Sequence, residues 1–457
     1  MASGSERMIE ASAVAGNAPF QTSNAYRYYV VWMLCGVYTI NMLDRQLLSI
    51  LIEPIRIEFS LNDTHMGFLG GIAFAIFYTT LGLPLARIAD RGNRVNMIAI
   101  CIAVWSLFTA LTGVAKSFSH LLLARIGVAV GEAGCNPAAY SVITDYFESK
   151  RRATALSIYQ LGAYAGGFLG LLLGGAIAQS HGWRMAFFVV GIPGLLIALI
   201  LKLTVREPPR GFSDPALRAP QTQRSMLQVL KALSAKRSFR NIGIATALHN
   251  FAVYGTGNFY SAFLMRSHGM SLAEVGTLLA FVTLIGGVMG AYVGGMLSDK
   301  LAVSKQDSRY YLWVPALLLI VGFPISQIIF ATQSSTVVML LLVPAIFCAA
   351  AFLAPSLTAT YGLVGLRERA LASALLLFVL NLIGLGFGPL FTGIVSDALR
   401  GWFVERGAEE AQALADGLRW SLRIMTVVSL CAAYYYFRAA RTLREESYRD
   451  EPGAASN

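Results

Sequence analysis

The stretch GIAFAIFYTTLGLPLARIADRGNRV, residues 71–95, joins an apolar run to a charged loop. Residues 71–86 carry no charge, whereas 87–94 contain three arginines and one aspartate. Extended back to Met66, the run reaches the length of about 20 residues that an α-helix needs to cross the hydrocarbon layer. The stretch therefore predicts a transmembrane helix that ends in a charged loop.

The same pattern recurs along almost the whole chain. Of its 457 residues, 56% are hydrophobic and only 13% are charged, which is too apolar for a soluble protein of this size. The runs show no period-two alternation of the kind that a transmembrane barrel needs. The sequence predicts an all-α integral membrane protein with twelve transmembrane helices, numbered here as spans 1 to 12, at 28–52, 64–87, 95–115, 119–147, 152–178, 183–203, 239–265, 272–298, 310–331, 336–362, 368–399 and 419–437.

Basic residues are concentrated in alternate loops. Lys150, Arg151 and Arg152 lie between spans 4 and 5, and eight basic residues occupy the connection between spans 6 and 7 together with the first turn of span 7. Because Lys and Arg near span ends are retained in the cytoplasm, we expect both termini to be cytoplasmic in a multi-pass inner-membrane protein. This asymmetry and anionic lipid headgroups account for the net charge of +11, so no nucleic-acid partner is needed.

The sequence offers no motif for a metal, a cofactor or catalysis. The five cysteines lie within or beside apolar runs, without the spacing of metal ligands. No phosphate-binding loop, dinucleotide fingerprint or HExxH pattern occurs. We therefore expect no metal, no cofactor other than a proton as coupling ion, and no enzymatic activity.

The long connection between spans 6 and 7 divides the chain. "LPLARIADRGNR" after span 2 is echoed by "YVGGMLSDKLA" after span 8, and "KRRATALSIY" by "LRERALASAL", which indicates a duplication. Residues around Leu230 and Leu233 predict either an amphipathic helix on the cytoplasmic leaflet or a simple tether. The predicted parts are an N-terminal tail, a six-helix half, a linker, a second six-helix half and a C-terminal tail, at 1–27, 28–205, 206–238, 239–441 and 442–457.

Four stretches resemble a known family. "ARIADRGNRV" at 86–95 resembles the loop between spans 2 and 3 of the major facilitator superfamily. Together with "NMLDRQLLSI", "RIGVAVGEAGCNPAAYSVITDYF" and "HGWRMAFFVVGIPGLLIALI", it makes the chain similar to the Spinster transporters of that superfamily. The resemblance implies the major facilitator fold, with two pseudo-symmetric six-helix halves. It also implies lysophospholipid or sphingosine phosphate export, as in eukaryotic members, and proton coupling, as in bacterial ones.

Charged residues inside apolar spans are the strongest functional signal. A charge at bilayer depth costs at least ~3 kcal/mol, so Asp44, Arg45, Arg125 and Glu132 should face a wet interior. Neighbours on a helix point about 100° apart, so Asp44 and Arg45 should not pair with each other. We expect Asp44 to reach Arg125 or Glu132, depending on conformation, and to couple protonation to helix movement. The alternative is a fixed ion pair that orders spans 1 and 4. Glu53 is expected at the membrane interface.

A second set of charges follows from the family resemblance. Asp90 would accept hydrogen bonds from the amino-terminal end of span 11, while Arg94 reaches Asp145 at the end of span 4. With Arg91, these residues would form a latch that closes the cytoplasmic side. The alternative is a solvated loop with ordinary basic residues.

Small residues recur at helical spacing in two spans. They predict close helix contacts rather than substrate binding, at Gly162, Gly166, Gly170 and Gly174 in span 5 and at Gly384, Gly386, Gly388 and Gly393 in span 11.

Polar and aromatic residues within the spans are candidates for a substrate cavity. Each could instead make an ordinary contact between helices, and His249 could be a satisfied interior histidine. The candidates are Tyr38, Tyr78, Tyr159, Tyr164, His249, Asn250, Tyr254 and Asn381.

These features together predict a proton-coupled transporter that exports an amphiphilic lysolipid-like or sphingolipid-like molecule. We expect it to work as a monomer among membrane lipids. Two alternatives stay open, a multidrug/proton antiporter for amphiphilic cations and a non-transporting membrane sensor or scaffold.

Overall fold

The structure is a computed structural model that describes residues 22–212, 226–365 and 368–447. The regular elements in these ranges are helical, which confirms the all-α prediction. The N-terminal half contains the helices of spans 1 to 6. They are Asn24–Ile50 with Ile52–Glu58 (span 1), Asp63–Gly70 with Ile72–Arg91 (span 2), Arg94–Thr112 (span 3), Phe118–Ala133 with Cys135–Tyr146 (span 4), Ser149–His181 (span 5) and Trp183–Thr204 (span 6).

The C-terminal half contains the helices of spans 7 to 12. Spans 8 and 11 each contain a short π-helical segment between two α-helices. The elements are Arg237–His268 (span 7), Leu272–Val282 with Thr283–Gly287 and Val288–Ser304 (span 8), Tyr310–Ala331 (span 9), Ser335–Ala350 with Leu353–Tyr361 (span 10), Arg369–Leu380 with Asn381–Phe387 and Gly388–Glu405 (span 11), and Glu410–Glu446 (span 12).

Nine of the helical segments in the described part of the chain are long and apolar enough to cross a membrane. Spans 1, 7 and 12 are outside that set, and they carry polar residues such as Asp44, Asn250 and Arg423. The two ends of the bundle are named by their connections. The linker end carries the connection between spans 6 and 7, and the distal end carries those between spans 1 and 2 and between spans 7 and 8.

Helix ends are the part of the architecture that the apolar runs predict least well. The apolar run predicts span 12 at 419–437, but the helix of this span runs from Glu410 to Glu446. Hydropathy marks the segment suited to hydrocarbon, whereas a helix continues wherever its backbone hydrogen bonds are made. Glu446 itself accepts hydrogen bonds from the backbone N–H groups of Arg237 and Ser238, at 2.9 and 2.8 Å, and so caps span 7.

The glycines of span 5 pack against span 1, as predicted. A Cβ atom on Gly162 would lie 2.4 Å from the carbonyl oxygen of Cys35, and one on Gly166 would lie 2.2 Å from that of Thr39. These distances are shorter than any normal contact, so a side chain at either position would push the two helices apart. The stripe therefore sets the distance between spans 1 and 5.

Span 11 packs its π-helical segment against span 7. Asn250 donates a hydrogen bond of 3.0 Å to the carbonyl oxygen of Leu380, the residue before the segment. Gly384 lies so close to Asn250 that a Cβ atom would be 2.6 Å from its side-chain nitrogen. Asn250 therefore supports a break in regular hydrogen bonding, a feature often found at functional sites.

The predicted helix in the linker is present at Met226–Ala235. Its Leu233 is buried in a core cluster with residues of spans 7 and 12. Lys236, which follows it, donates a hydrogen bond of 2.6 Å to the carbonyl oxygen of Leu363. The helix thus packs on the C-terminal half, and its position on the cytoplasmic leaflet stays a prediction.

The two halves contact each other at the distal end. Ser261 of span 7 donates to the carbonyl oxygen of Ser49 in span 1 at 2.5 Å, and the backbone N–H of Leu272 donates to Gln179 of span 5 at 3.1 Å. Gly175 lies close to Gly276 and the Leu272 carbonyl oxygen, so spans 5 and 8 touch backbone to backbone. These contacts close the bundle at this end.

Candidate functional site

A cavity of about 430 Å³ lies between the two halves. Spans 1, 2, 4 and 5 line it on one side, and spans 7 to 12 line it on the other. This is a normal size for a small-molecule site in a protein. The charged side chains that line it, Arg45 and Arg125, come from the N-terminal half.

Arg45 and Glu132 form an ion pair beside the cavity. Arg45 Nε lies 2.7 Å from Glu132 Oε2, and Glu132 is fully buried. Asp44, the neighbour of Arg45, points elsewhere and accepts a hydrogen bond of 2.8 Å from the Thr109 hydroxyl of span 3. The expectation that Asp44 itself would reach Glu132 or Arg125 is not met in this conformation, because the turn of the helix brings Arg45 to span 4 instead. Asp44 and Arg45 do not pair, as predicted.

Each of the four charged side chains has an unsatisfied polar atom. Among the described residues, no hydrogen-bond partner reaches the buried atoms Asp44 Oδ2, Arg45 Nη2, Arg125 Nε and Glu132 Oε1. Unpaired polar atoms are costly in a low-dielectric interior unless a proton, water or ligand completes their bonding. These four atoms are therefore the places in the cluster where a proton, a water molecule or a ligand would bind.

Aromatic rings hold both arginines in place. The Arg45 guanidinium lies 4.9 Å from the ring centre of Phe74 and 4.5 Å from that of Tyr78. Arg125 lies 4.4 Å from the ring centre of Phe74. Phe74 thus contacts both cations, which favours a fixed orientation of the two guanidinium groups through cation–π attraction.

Of the proposed cavity residues, two line the cavity, one contacts Arg45 and the others lie elsewhere. His249 and Tyr254 line the cavity, and His249 Nε2 donates a hydrogen bond of 2.8 Å to the Ala349 carbonyl oxygen. Tyr78 contacts Arg45, as described above. The other candidates lie outside the lining. These are Tyr38 stacked on Tyr159, Tyr164 at 42% exposure, Asn250 and Asn381 at the π-helical segment of span 11.

Some lining residues are absent from the sequence predictions. Gln46 and Asn258 are two of these residues. Both are polar residues inside apolar spans 1 and 7, and this pattern in the sequence could have identified them. Most of the apolar lining side chains, by contrast, come from the C-terminal half and resemble ordinary core residues in sequence. Examples are Leu319, Phe323, Ile346, Phe352 and Leu385.

Glu53 is buried at the distal end of span 1. It is only 4% exposed, and it pairs with Arg56 at 2.8 Å and with Arg266 of span 7 at 2.6 Å. The sequence does not predict this pairing, because Arg266 looks like a single loop charge there, whereas the fold brings it to the end of span 1. The position of Glu53 at the membrane interface stays a prediction.

The loop after span 2 contains the predicted contact between Arg94 and Asp145. Arg94 is buried and also binds Glu207 at 2.6 Å and the Pro208 carbonyl oxygen at 2.7 Å, so it ties spans 3 and 4 to the start of the linker. Arg91 is exposed. The side chain of Asp90 lies outside the described residues, and the latch role of this set stays a prediction.

Comparisons with known proteins agree with this architecture. The family model of the Major Facilitator Superfamily matches residues 34–329 and 242–456. An MFS-type efflux pump of Mycolicibacterium smegmatis is 35% identical over 416 residues, which cover 91% of this chain and 93% of that protein. A probable galactarate/D-glucarate transporter of Bacillus subtilis is 28% identical over 326 residues, 66% of this chain and 71% of that protein.

A solved structure extends the match to the whole fold. It is a bacterial homologue of the human lysosomal transporter Spinster in an inward-facing, unoccupied conformation, with a TM-score of 0.88 and 35% identity. The match covers 94% of this chain and all of that one. The chain therefore belongs to the major facilitator superfamily, with its twelve-helix architecture, and is a transporter of the Spinster type.

Proposed function

We propose that this transporter is proton-coupled and exports a lysolipid-like or sphingolipid-like amphiphile by alternating access. One observation carries the proposal, the cluster of Asp44, Arg45, Arg125 and Glu132 beside a cavity whose opposite wall includes apolar side chains such as Leu319, Phe323 and Phe352. A polar headgroup would face the charged cluster, and a hydrocarbon chain would lie against these apolar side chains.

The arginines would bind the negative part of the headgroup. Arg45 Nη2 and Arg125 Nε have no hydrogen-bond partner in the described part of the chain, and guanidinium groups bind phosphate and carboxylate with directed hydrogen bonds. A relative named as a probable galactarate/D-glucarate transporter, whose named substrates carry carboxylates, is consistent with a substrate that carries negative charge.

The acids would couple transport to protons. Asp44 has no cation at hydrogen-bond distance in the described structure, whereas Glu132 holds Arg45. A proton on Asp44 therefore breaks no ion pair, and we assign the coupling proton to it. The ammonium group of a zwitterionic headgroup would compete with protons for the two carboxylates, and such competition produces exchange of substrate for protons.

A multidrug/proton antiporter is the second candidate, and the efflux-pump relative favours it. An amphiphilic cation would also compete with protons for Asp44 and Glu132. However, Arg45 and Arg125 line the cavity and would repel it, which favours a headgroup that carries negative charge. A sensor or scaffold would show no flux of any substrate.

We further propose that the chain works as a monomer in the inner membrane, with the linker end and both termini in the cytoplasm. The two halves that move against each other would be 28–205 and 239–441. This orientation places the closed distal end on the outside, so the cavity would load from the cytoplasm.

The proposal can be tested with purified protein in liposomes. Efflux of a fluorescent lysophosphatidylethanolamine, a lipophilic cation dye and an alkyl glucoside of equal chain length is compared, with and without an imposed pH gradient. We expect the gradient to drive the lysolipid and not the glucoside. Equal transport of all three, preferred transport of the cation, or no flux would contradict the proposal.

Arg125→Gln tests the headgroup assignment, with Arg240→Gln as control because Arg240 is exposed at the linker end of span 7. We expect Arg125→Gln to slow lysolipid flux at least tenfold, on the order of 1.4 kcal/mol or more in the barrier. The control should transport normally. Unchanged lysolipid flux in Arg125→Gln would exclude Arg125 as a headgroup ligand.

A further inference from the structure

We propose that a groove between spans 9 and 12, near the distal end, binds the phosphate group of an anionic phospholipid through Arg423. The groove is formed by Gln327 of span 9 and by Trp420 and Arg423 of span 12, and it is called the span 9–12 groove below. It is separate from the charged cluster at the cavity. The proposal depends on neither the substrate nor the proton coupling proposed above.

The distal end of span 12 carries an unusual number of arginines. Basic residues are otherwise concentrated in alternate loops, but Arg400, Arg406, Arg419 and Arg423 lie at or near the connection between spans 11 and 12. Arg400 and Arg419 each form an ion pair with a nearby carboxylate. Within the described ranges, no carboxylate forms an ion pair with Arg406 or Arg423. These two cations therefore need another source of stabilisation.

Arg406 and Arg423 lie in different surroundings. Arg406 follows the last residue of its helix and is exposed, so water can hydrate it. Arg423 is partly buried within the helix of span 12 and contacts Gln327 of span 9. Gln327 lies four residues before the end of its helix at Ala331, which is about 6 Å along the helix axis. An unpaired charge at this depth is costly, so an anion beside Arg423 would be strongly favoured.

The protein holds the Arg423 guanidinium in a fixed orientation. Its Nε donates a hydrogen bond of 2.9 Å to Gln327 Oε1. Gln327 Nε2 in turn donates to the Thr426 hydroxyl at 2.6 Å and to the Arg423 carbonyl oxygen at 3.1 Å. The guanidinium carbon lies 4.2 Å from the ring centre of Trp420, within the range of cation–π attraction.

These contacts leave one edge of the guanidinium available. No described residue accepts a hydrogen bond from Arg423 Nη1 or Nη2, whereas Nε is bound to Gln327. The two terminal nitrogens of arginine can donate side by side to two oxygens of one phosphate, with a fixed geometry that lysine lacks. The free edge is therefore suited to a phosphate group.

The residues around Arg423 indicate that the phosphate belongs to a lipid. Ile424 and Val427 of span 12 and Ile328 of span 9 are exposed apolar residues on membrane-spanning helices, so they face acyl chains. Trp420 is also exposed and lies nearer to the distal end than Ile424 and Val427, as expected for a tryptophan at the level of the headgroups. A phospholipid would place its phosphate at Arg423 and its chains along the apolar residues.

The charge of the groove favours an anionic lipid over a zwitterionic one. Phosphatidylglycerol carries a phosphate and no cation, whereas phosphatidylethanolamine adds an ammonium group beside the same phosphate. That ammonium would lie near Arg423, which has no carboxylate partner in the described part of the chain. Repulsion between the two cations weakens binding of the zwitterionic lipid.

Photo-crosslinking in liposomes tests the site at the groove itself. The parent protein is illuminated with phosphatidylglycerol or phosphatidylethanolamine that carries the same photoactivatable acyl chain, and crosslinks to the peptides of spans 9 and 12 are counted by mass spectrometry. Arg423→Gln removes the charge. Arg406→Gln is the matched control, because Arg406 also contacts a tryptophan, Trp402, and lacks an ion pair within the described ranges.

We expect phosphatidylglycerol to label the groove of the parent protein about tenfold more than phosphatidylethanolamine, as charged hydrogen bonds to phosphate would produce. Arg423→Gln should reduce this labelling to the level of phosphatidylethanolamine, and Arg406→Gln should leave it unchanged. Equal labelling by the two lipids in the parent, or undiminished labelling in Arg423→Gln, would overturn the proposal. Loss of labelling when inorganic phosphate is added in excess would assign the site to free phosphate and overturn the lipid assignment.

Arg423→Lys is a second variant that keeps the positive charge inside the fold. Because an ammonium group cannot donate two parallel hydrogen bonds, labelling by phosphatidylglycerol should fall below that of the parent but stay above that of phosphatidylethanolamine. Unchanged labelling would contradict recognition by the two terminal nitrogens, and equal labelling by both lipids would contradict selection by charge. No transport is measured, so failure of the lysolipid-export proposal would not affect these results.

Discussion

Arg45 binds Glu132 across spans 1 and 4, with 2.7 Å between Nε and Oε2, while the adjacent Asp44 turns to Thr109 of span 3. One helix thus directs two neighbouring charges to two different helices. The pair Arg45 and Glu132 is a contact between two helices, and Asp44 Oδ2 has no hydrogen-bond partner among the described residues.

The Arg45–Glu132 pair should contribute to stability. Removing one member of a buried pair costs about 3–5 kcal/mol, because the other charge stays buried without a partner. We therefore expect the Arg45→Ala variant to have a clearly lower unfolding temperature than the parent protein when both are measured in detergent. The double variant Arg45→Ala, Glu132→Gln should recover part of the loss, since no isolated charge remains. A double variant as unstable as the sum of the two single variants would show that the residues are not coupled.

Two adjacent glycines of span 5 should differ sharply in their tolerance of alanine. Gly166→Ala places a methyl group 2.2 Å from the Thr39 carbonyl oxygen, whereas Gly167→Ala meets nothing within 4 Å. Overpacking of this kind typically costs about 1–3 kcal/mol. Thermal unfolding of the purified protein should show a loss for Gly166→Ala and little change for Gly167→Ala. Similar behaviour of both would mean that spans 1 and 5 are not in tight contact.

The cap at Glu446 should make stability depend on pH. Partial burial raises the pKa of this carboxyl, but hydrogen bonds from the backbone N–H groups of Ser238 and Arg237 lower it more, so that it falls below its ordinary value of 4.5. The carboxylate therefore stabilises the fold above the unfolded-state pKa, and this contribution is lost as the pH falls through the lower folded-state pKa.

Unfolding temperatures measured between pH 7 and pH 4 can check this. Glu446→Gln should be less stable than the parent at pH 7, and the difference should shrink at the acidic end. Glu445→Gln, at the exposed neighbouring position, is the control and should follow the parent. A difference that grows with acidity would have the wrong sign for a carboxylate cap.

The proposed orientation predicts which loops an impermeant thiol reagent can reach in intact cells. Ser119→Cys, at the distal end, should be labelled from outside, and Ser308→Cys, at the linker end, should be labelled only after the cells are opened. Both positions are exposed, and Cys431→Ser removes the exposed native thiol. The reverse labelling pattern would invert the topology.

The sequence predicts the fold well because apolar length and basic loops act locally. It places twelve spans and the glycine contacts of Gly162 and Gly166, and it finds the four charged residues beside the cavity. It does not predict which of Asp44 and Arg45 faces span 4, because that depends on the rotation of span 1 within the bundle.

The contacts between the two halves cannot be predicted from the sequence, for a different reason. Asp397 and Asp63, which are hydrogen-bonded across the two halves, are separated by more than three hundred residues, and neither looks unusual beside a span end. Arg266 likewise reads as one basic loop residue, and only the packing of spans 1, 2, 7 and 11 buries it. The apolar wall at Phe323 and Phe352 is also indistinguishable from a core in sequence.

Transport by Asp44→Asn tests the central claim most directly. The asparagine keeps the size of the side chain and removes a charge that is expensive at bilayer depth, so the variant should fold and insert. Liposomes are loaded with lysolipid, and flux is measured first as exchange without a gradient and then with an imposed pH gradient. If Asp44 carries the coupling proton, exchange continues at a comparable rate and the response to the gradient is lost. If the gradient accelerates flux in Asp44→Asn as much as in the parent protein, Asp44 does not carry the proton, and the account of coupling is wrong.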